Sequence, residues 1–249
     1  MDKYRAAVCL NNYGASLLER GQYRQAALVL RDSLNIMNLF LESQEDSAST
    51  VSTFLPFSIS EKLHFATKCM AQSPMRKKSF TSDIHVFRYD GAGSVPLDAA
   101  LYGRTSVITV EDFDTHKETD NLRADVDIHT AIIVYNTAMA RLAIADATRR
   151  HQHHSINNNN NNCKRGTTVK ACAKFLRWAH AIVYRALNER PRESTQLSVL
   201  ILGKLVSLLK DSGETTEALK AGRVCESMKS KFEAIESLVP SRPDLAAAA

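Results

Sequence analysis

Helix breakers are scarce in this chain, with six prolines and nine glycines in 249 residues. That scarcity disfavours a fold of many short hairpins and, with Leu and Ala common, favours helices. Paired cysteine motifs are missing too. The five cysteines, Cys9, Cys69, Cys163, Cys172 and Cys225, are odd in number and dispersed, with no C-x-x-C among them. Such a set excludes a disulfide framework and reads as free thiols in a reducing compartment. The longest apolar run, Leu197 to Gly203, is too short to cross a bilayer, and the opening MDKYRAAV lacks the charged-then-apolar layout of a secretory leader. A cytoplasmic protein is expected, the nucleus being the alternative, with no membrane partner. A strong charge of one sign is also absent. The net +5 is spread over short clusters at Met75–Lys78, Arg149–Arg150 and Lys164–Arg165, without an aromatic platform or reading helix, so nucleic acid is not an expected partner. At 44% hydrophobic and 24% charged, the chain nevertheless has the composition of a folded globular protein.

Chemistry is equally thin. There is no nucleophile elbow, paired-carboxylate motif or zinc-helix signature, so neither nucleophilic nor acid/base catalysis has residues to rest on, and no enzyme is expected. Asp90-Gly91-Ala92-Gly93 is followed by no Gly-Lys-Ser/Thr and opens no helix, which makes it a turn and not a phosphate loop. His151, His153, His154 and Cys163 carry metal-binding atoms, but in an asparagine-rich stretch with nothing to fix their ring orientation; no metal or other cofactor is expected.

What the chain does have is a repeating offset. In NNYGASLLERGQYRQAALVLRDSLNIM, Asn11 to Met37, residues Leu10, Tyr13, Gly14 and Leu17 form one stripe of a first helix. Gly21 ends it, since a residue without a side chain best tolerates a left-handed helix end. Tyr23 opens a second helix, on which Ala26, Leu30, Ser33 and Leu34 form the facing stripe. Small residues stand where the helices approach and Leu fills the neighbouring gap. The same offsets return from Val206 to Gly213 to Ala218, with Leu202, Leu205, Val206 and Leu209 on one helix, Gly213 as the break, and Ala218, Gly222 and Cys225 on the next. Between them, TAIIVYNTAMARLAIADATRR places Val134, Ala138 and Leu142 four apart, and ACAKFLRWAHAIVYRAL supplies Phe175, Trp178, Ala181 and Ile182 as a facing stripe until Arg190-Pro191 stops the helix.

This pattern resembles the tetratricopeptide repeat, onto whose positions Leu10, Tyr13, Gly14, Leu17, Gly21, Tyr23, Ala26, Leu30 and Ser33 fall in order. The resemblance implies a mainly α fold of antiparallel helical hairpins, stacked as a short irregular solenoid over roughly 3–43, 128–189 and 193–237. The departures are Val206, where the family prefers a small residue, and long insertions. Residues 44–127 form the first insertion. It holds a Ser/Thr-rich linker, a weakly helical stretch at Ile59–Gln72, and two runs, IHVFRY (Ile84–Tyr89) and SVITV (Ser106–Val110), that read as a small β-hairpin needing support from helices or a partner. Ser73 before a proline and Ser79 after Arg-Lys-Lys are plausible kinase contexts, though an unmodified loop is the simpler reading. The second insertion, 151–167, carries six asparagines in a row and reads as a disordered loop. A polar, acidic connection covers Glu111–Asp127, and residues 240–249 read as a frayed tail.

In the family the first helix of each unit lines a concave groove, and an Asn two positions before the small residue often contacts extended peptide backbone. Asn12 precedes Gly14 and Asn136 precedes Ala138 by that offset, while Lys204 holds it before Val206. An amide donates and accepts at once, which suits backbone recognition, and Lys204 could attract a carboxylate. The alternative is that both asparagines satisfy polar atoms between neighbouring helices. A chaperone-type carboxylate clamp is incomplete, because Asn11 stands where the family has Lys and Ala15 where it has a second Asn. The resemblance thus implies a non-enzymatic scaffold for a protein or peptide partner, and a self-associating structural subunit is the alternative.

Overall fold

In the computed structural model of the chain, residues 2–45, 84–89, 105–110, 122–152 and 159–238 are the ones the structure describes. They form six helices and two strands: α1 (Asp2–Glu19), α2 (Tyr23–Glu45), β1 (Ile84–Tyr89), β2 (Thr105–Val110), α3 (Leu122–Gln152), α4 (Asn159–Arg185), α5 (Pro191–Asp211) and α6 (Thr215–Leu238), with a 3-10 turn at Ala186–Asn188 before α5. The described chain is thus mainly helical. Each helix packs on the next in sequence, while β2 lies against α1 and α3.

Local chemistry sets the two tightest connections. At the end of α1, Gly21 has φ +73° and donates to the Leu18 carbonyl at 3.0 Å, and Gln22 donates to Leu17 at 2.9 Å. The turn after α5 repeats this: Gly213 has φ +78° and donates to Lys210 at 3.0 Å, and Glu214 to Leu209 at 2.9 Å. Both satisfy helix-end carbonyls through a left-handed glycine. The helix pairs they join share a further contact. Ser33 Oγ donates to the Ala7 carbonyl at 2.6 Å, and Cys225 Sγ to that of Val199 at 3.7 Å, partners 26 residues apart in both cases.

Packing distinguishes the two pairs. A Cβ added at Gly14 would lie 2.6 Å from Leu30 Cγ, so a side chain from α2 already fills the space that glycine leaves. At Gly222 on α6, which stands at the offset that Leu30 holds on α2, an added Cβ meets nothing within 4 Å. Gly14→Val is therefore expected to cost about 1–3 kcal/mol in urea unfolding. Gly222→Ala, in open space inside a helix, is expected to gain about 0.5–1 kcal/mol.

The core is centred on α3, where Ala124 and every residue from Val126 to Ala140 are buried. By length and composition Arg123–Thr148 could cross a membrane, but 83% of its apolar window is covered by the rest of the protein, the condition of a core helix.

Several elements differ from what the sequence suggested. The strands pair in parallel, Ile84 opposite Thr105 through Tyr89 opposite Val110, and so do not form a hairpin. Residues 90–104 give the connection the length that a parallel crossover needs. Helix α3 begins at Leu122, inside the expected acidic connection, because Ala124 and Val126 reach the core and Asp125 suits a helix N-terminus. The expected loop at 151–167 is largely helical: α3 runs to Gln152 and α4 starts at Asn159 within the asparagine run. Asparagine is a middling helix former, and extending an existing helix adds a hydrogen bond per residue fixed without a new nucleus. On α4 the inward stripe is Cys172, Leu176, Ala179 and Val183, with Ile182 also buried; Trp178 is 43% exposed and Ala181 faces solvent. The stretch at Ile59–Gln72, Ser73, Ser79 and the tail at 240–249 lie outside the described residues.

Candidate functional site

Two buried bridges set α1 against α3. Tyr4 Oη and His129 Nδ1 are 2.6 Å apart, and Asn136 Nδ2 donates to Asn11 Oδ1 at 2.9 Å. Each bridge joins residues 125 apart, and the second lies about two turns beyond the first on both helices, so α1 and α3 run in the same direction. Tyr4 also stacks with Phe40 and with His129, at ring-centre distances of 5.3 and 5.7 Å. Burial pushes the His129 imidazole down to about 4, so at neutral pH it is uncharged and can accept the tyrosine proton.

These helices present their asparagine amides to β2. Asn12 Nδ2 donates to the Val110 carbonyl at 2.7 Å, and Val110 N donates to Asn12 Oδ1 at 2.9 Å. Asn136 repeats the arrangement on Ile108, Nδ2 donating to the carbonyl at 2.7 Å and Oδ1 accepting from the amide at 2.9 Å. Each side chain therefore acts as a peptide unit would in a hydrogen-bonded antiparallel pair, closing two bonds on one residue. Ile108 and Val110 are two residues apart and so turn the same edge toward the helices. The opposite edge, that of Val107 and Thr109, is left to β1.

The spacing follows from elementary dimensions. Two residues of strand span about 6.6 Å, and neighbouring helix axes stand about 8–10 Å apart, a difference that side chains leaning together can close. Asn11 completes the network, donating to the Ile108 carbonyl at 3.2 Å and to Asn12 Oδ1 at 3.3 Å. Both hydrogens of the fully buried Asn136 amide are thus used. Three side chains of β2 are likewise enclosed, with Val107 at 0%, Ile108 at 1% and Val110 at 7% exposure. A charge at any of these positions would lose its hydration without a partner.

Of the residues singled out from sequence, the structure brings Asn12 and Asn136 together on one strand. Lys204 sits apart from these bonds, half-buried on α5. Burial lowers its pKa from the usual lysine value, while Asp146 of α3 and Asp211 act in the opposite direction. Asn11, which the family pattern marks only as a departure, is a central member. Its signal in the sequence is a polar residue on the apolar stripe Ala7, Asn11, Ala15, Leu18. Tyr4 and His129 carry no such signal, because their bond joins residues 125 apart in the sequence.

Among the described residues no group of three His, Cys, Asp or Glu could hold a metal ion. The side chains of His151, His153, His154 and Cys163 lie outside them. Cys9, Cys172 and Cys225 are free thiols. No protein-family model, curated protein or solved structure matches the chain.

Proposed function

We propose that the protein is a non-enzymatic interaction scaffold, a short irregular tetratricopeptide-like solenoid that binds an extended segment of a partner along the face formed by its first helices, α1, α3 and α5. One observation carries this reading: side-chain amides on α1 and α3 hold a strand by its backbone, the chemistry that sequence-tolerant peptide recognition requires. The parallel course of α1 and α3 supports the repeat reading, as do the matching glycine turns and the Ser33 and Cys225 contacts. On α5, Lys204 occupies the same offset as the asparagines and supplies a cation for an acidic group on the partner. The free cysteines favour the cytoplasm or nucleus.

The test is the double variant Asn12→Ala with Lys204→Ala, both half-buried, which leaves the buried Asn136 in place. In affinity purification from the native extract followed by mass spectrometry, the variant is expected to lose partners that the unaltered chain recovers. Equal recovery by a variant with unchanged helical signal removes the groove assignment.

A further inference from the structure

We propose that β2 is a built-in occupant of the groove, and that a partner enters by offering the same chemistry in its place: an extended segment with uncharged, aliphatic side chains at the positions of Val107, Ile108 and Val110. This deepens the scaffold reading and rests on it.

Three features carry the inference. First, the bonds that Asn12 and Asn136 make to β2 go to main-chain atoms of Val110 and Ile108, a chemistry that any extended backbone offers. Selectivity falls to the buried side chains, which demand apolar groups and reject charge. Second, the walls of the groove are joined to each other without the strand as intermediary: the bonds Tyr4–His129 and Asn11–Asn136 link α1 to α3 directly. Third, β2 belongs to the same chain as the groove, eleven residues (111–121) before the start of α3, so any partner competes with an intramolecular occupant. Being intramolecular, β2 competes at an effective concentration on the order of millimolar. A partner therefore binds with an affinity reduced by the fraction of time the groove stands open.

The test uses a fluorescent peptide with the sequence of residues 103–112, GRTSVITVED, titrated into the full chain and into the full-length variant Ile108→Pro with Val110→Pro. The two prolines remove the amide hydrogens that Asn136 and Asn12 accept. The proline variant is expected to bind the peptide at least about tenfold more tightly than the unaltered chain. Adding Asn12→Ala and Asn136→Ala to it is expected to abolish binding, as is placing Asp at the peptide's Ile108 position.

A variant that keeps its helical signal but ignores the peptide overturns the proposal. A full-length chain with Val107, Ile108 and Val110 all replaced by Ser covers the case in which proline itself prevents folding. If both variants lose their helices, β2 is an obligatory part of the core and the proposal falls. A concentration-dependent dimer of the unaltered chain, lost in the proline variant, would assign the groove to a second copy and overturn it equally. Native partners that are lost with Asn12 and Lys204, while the peptide fails to bind, defeat this inference alone and leave the scaffold reading standing.

Discussion

Replacing Asn136 with alanine is expected to lower the free energy of unfolding by about 3–5 kcal/mol, since each buried polar group left without a partner costs about 1–3 kcal/mol. Two groups are stranded. The Ile108 amide loses its only acceptor in the network, and Asn11 Oδ1 loses its donor, both in fully enclosed surroundings. The Ile108 carbonyl keeps the weaker bond from Asn11 at 3.2 Å. Asn12→Ala is expected to cost less, about 1–2 kcal/mol, because its bonds to Val110 are only partly buried and water can replace them. Urea unfolding of the two variants checks the ranking. Equal effects, or a milder one at Asn136, would mean that the amide network is not closed as the geometry has it.

Acidification from pH 7 toward 4 is expected to remove roughly 3 kcal/mol of stability through His129 alone, from a pKa near 6.5 unfolded and about 4 folded. The sign follows from proton uptake. Between these values the unfolded chain binds the proton and the folded one does not, so stability is complete above the unfolded pKa and falls as the pH drops toward the folded one. Asp125 and Asp127 act in the opposite sense, because burial raises both carboxyls despite Arg190 at 3.3 Å and Arg185 at 2.6 Å. They regain stability as the pH falls through their folded pKa values. Comparison with His129→Gln cancels the aspartates: the stability difference between the two proteins is expected to slope between pH 6.5 and 4 and to be flat above. No slope in that window would place His129 in contact with water.

Much of the helical scaffold could be read from local offsets, for a physical reason. Gly21 and Gly213 act on their own turns, and Gly14 acts on a helix two residues beyond the next bend, so short sequence windows contain the cause. The strand's surroundings could not be read that way. SVITV is legible as a strand by composition, but its partners Asn12 and Asn136 lie 98 and 28 residues away, and an amide carries no mark of what it will hold. Parallel pairing was equally hidden, since side-chain pattern says nothing about strand direction. On α4, alanines spread the apolar surface around much of the helix, which left Trp178 a false guide to the inward face. The asparagine run misled for a related reason: composition describes an isolated segment, whereas α4 extends into it from a packed helix.

Amide hydrogen exchange resolved at Ile108 and Val110, compared between the unaltered full-length chain and Asn12→Ala, tests most directly whether these asparagines hold backbone. The expected result is protection of both amides in the unaltered chain, and exchange at Val110 faster by about tenfold in the variant while Ile108, still held by Asn136, changes far less. Free exchange of both amides in the unaltered chain, or a Val110 amide indifferent to the loss of Asn12, would contradict a groove that reads extended backbone.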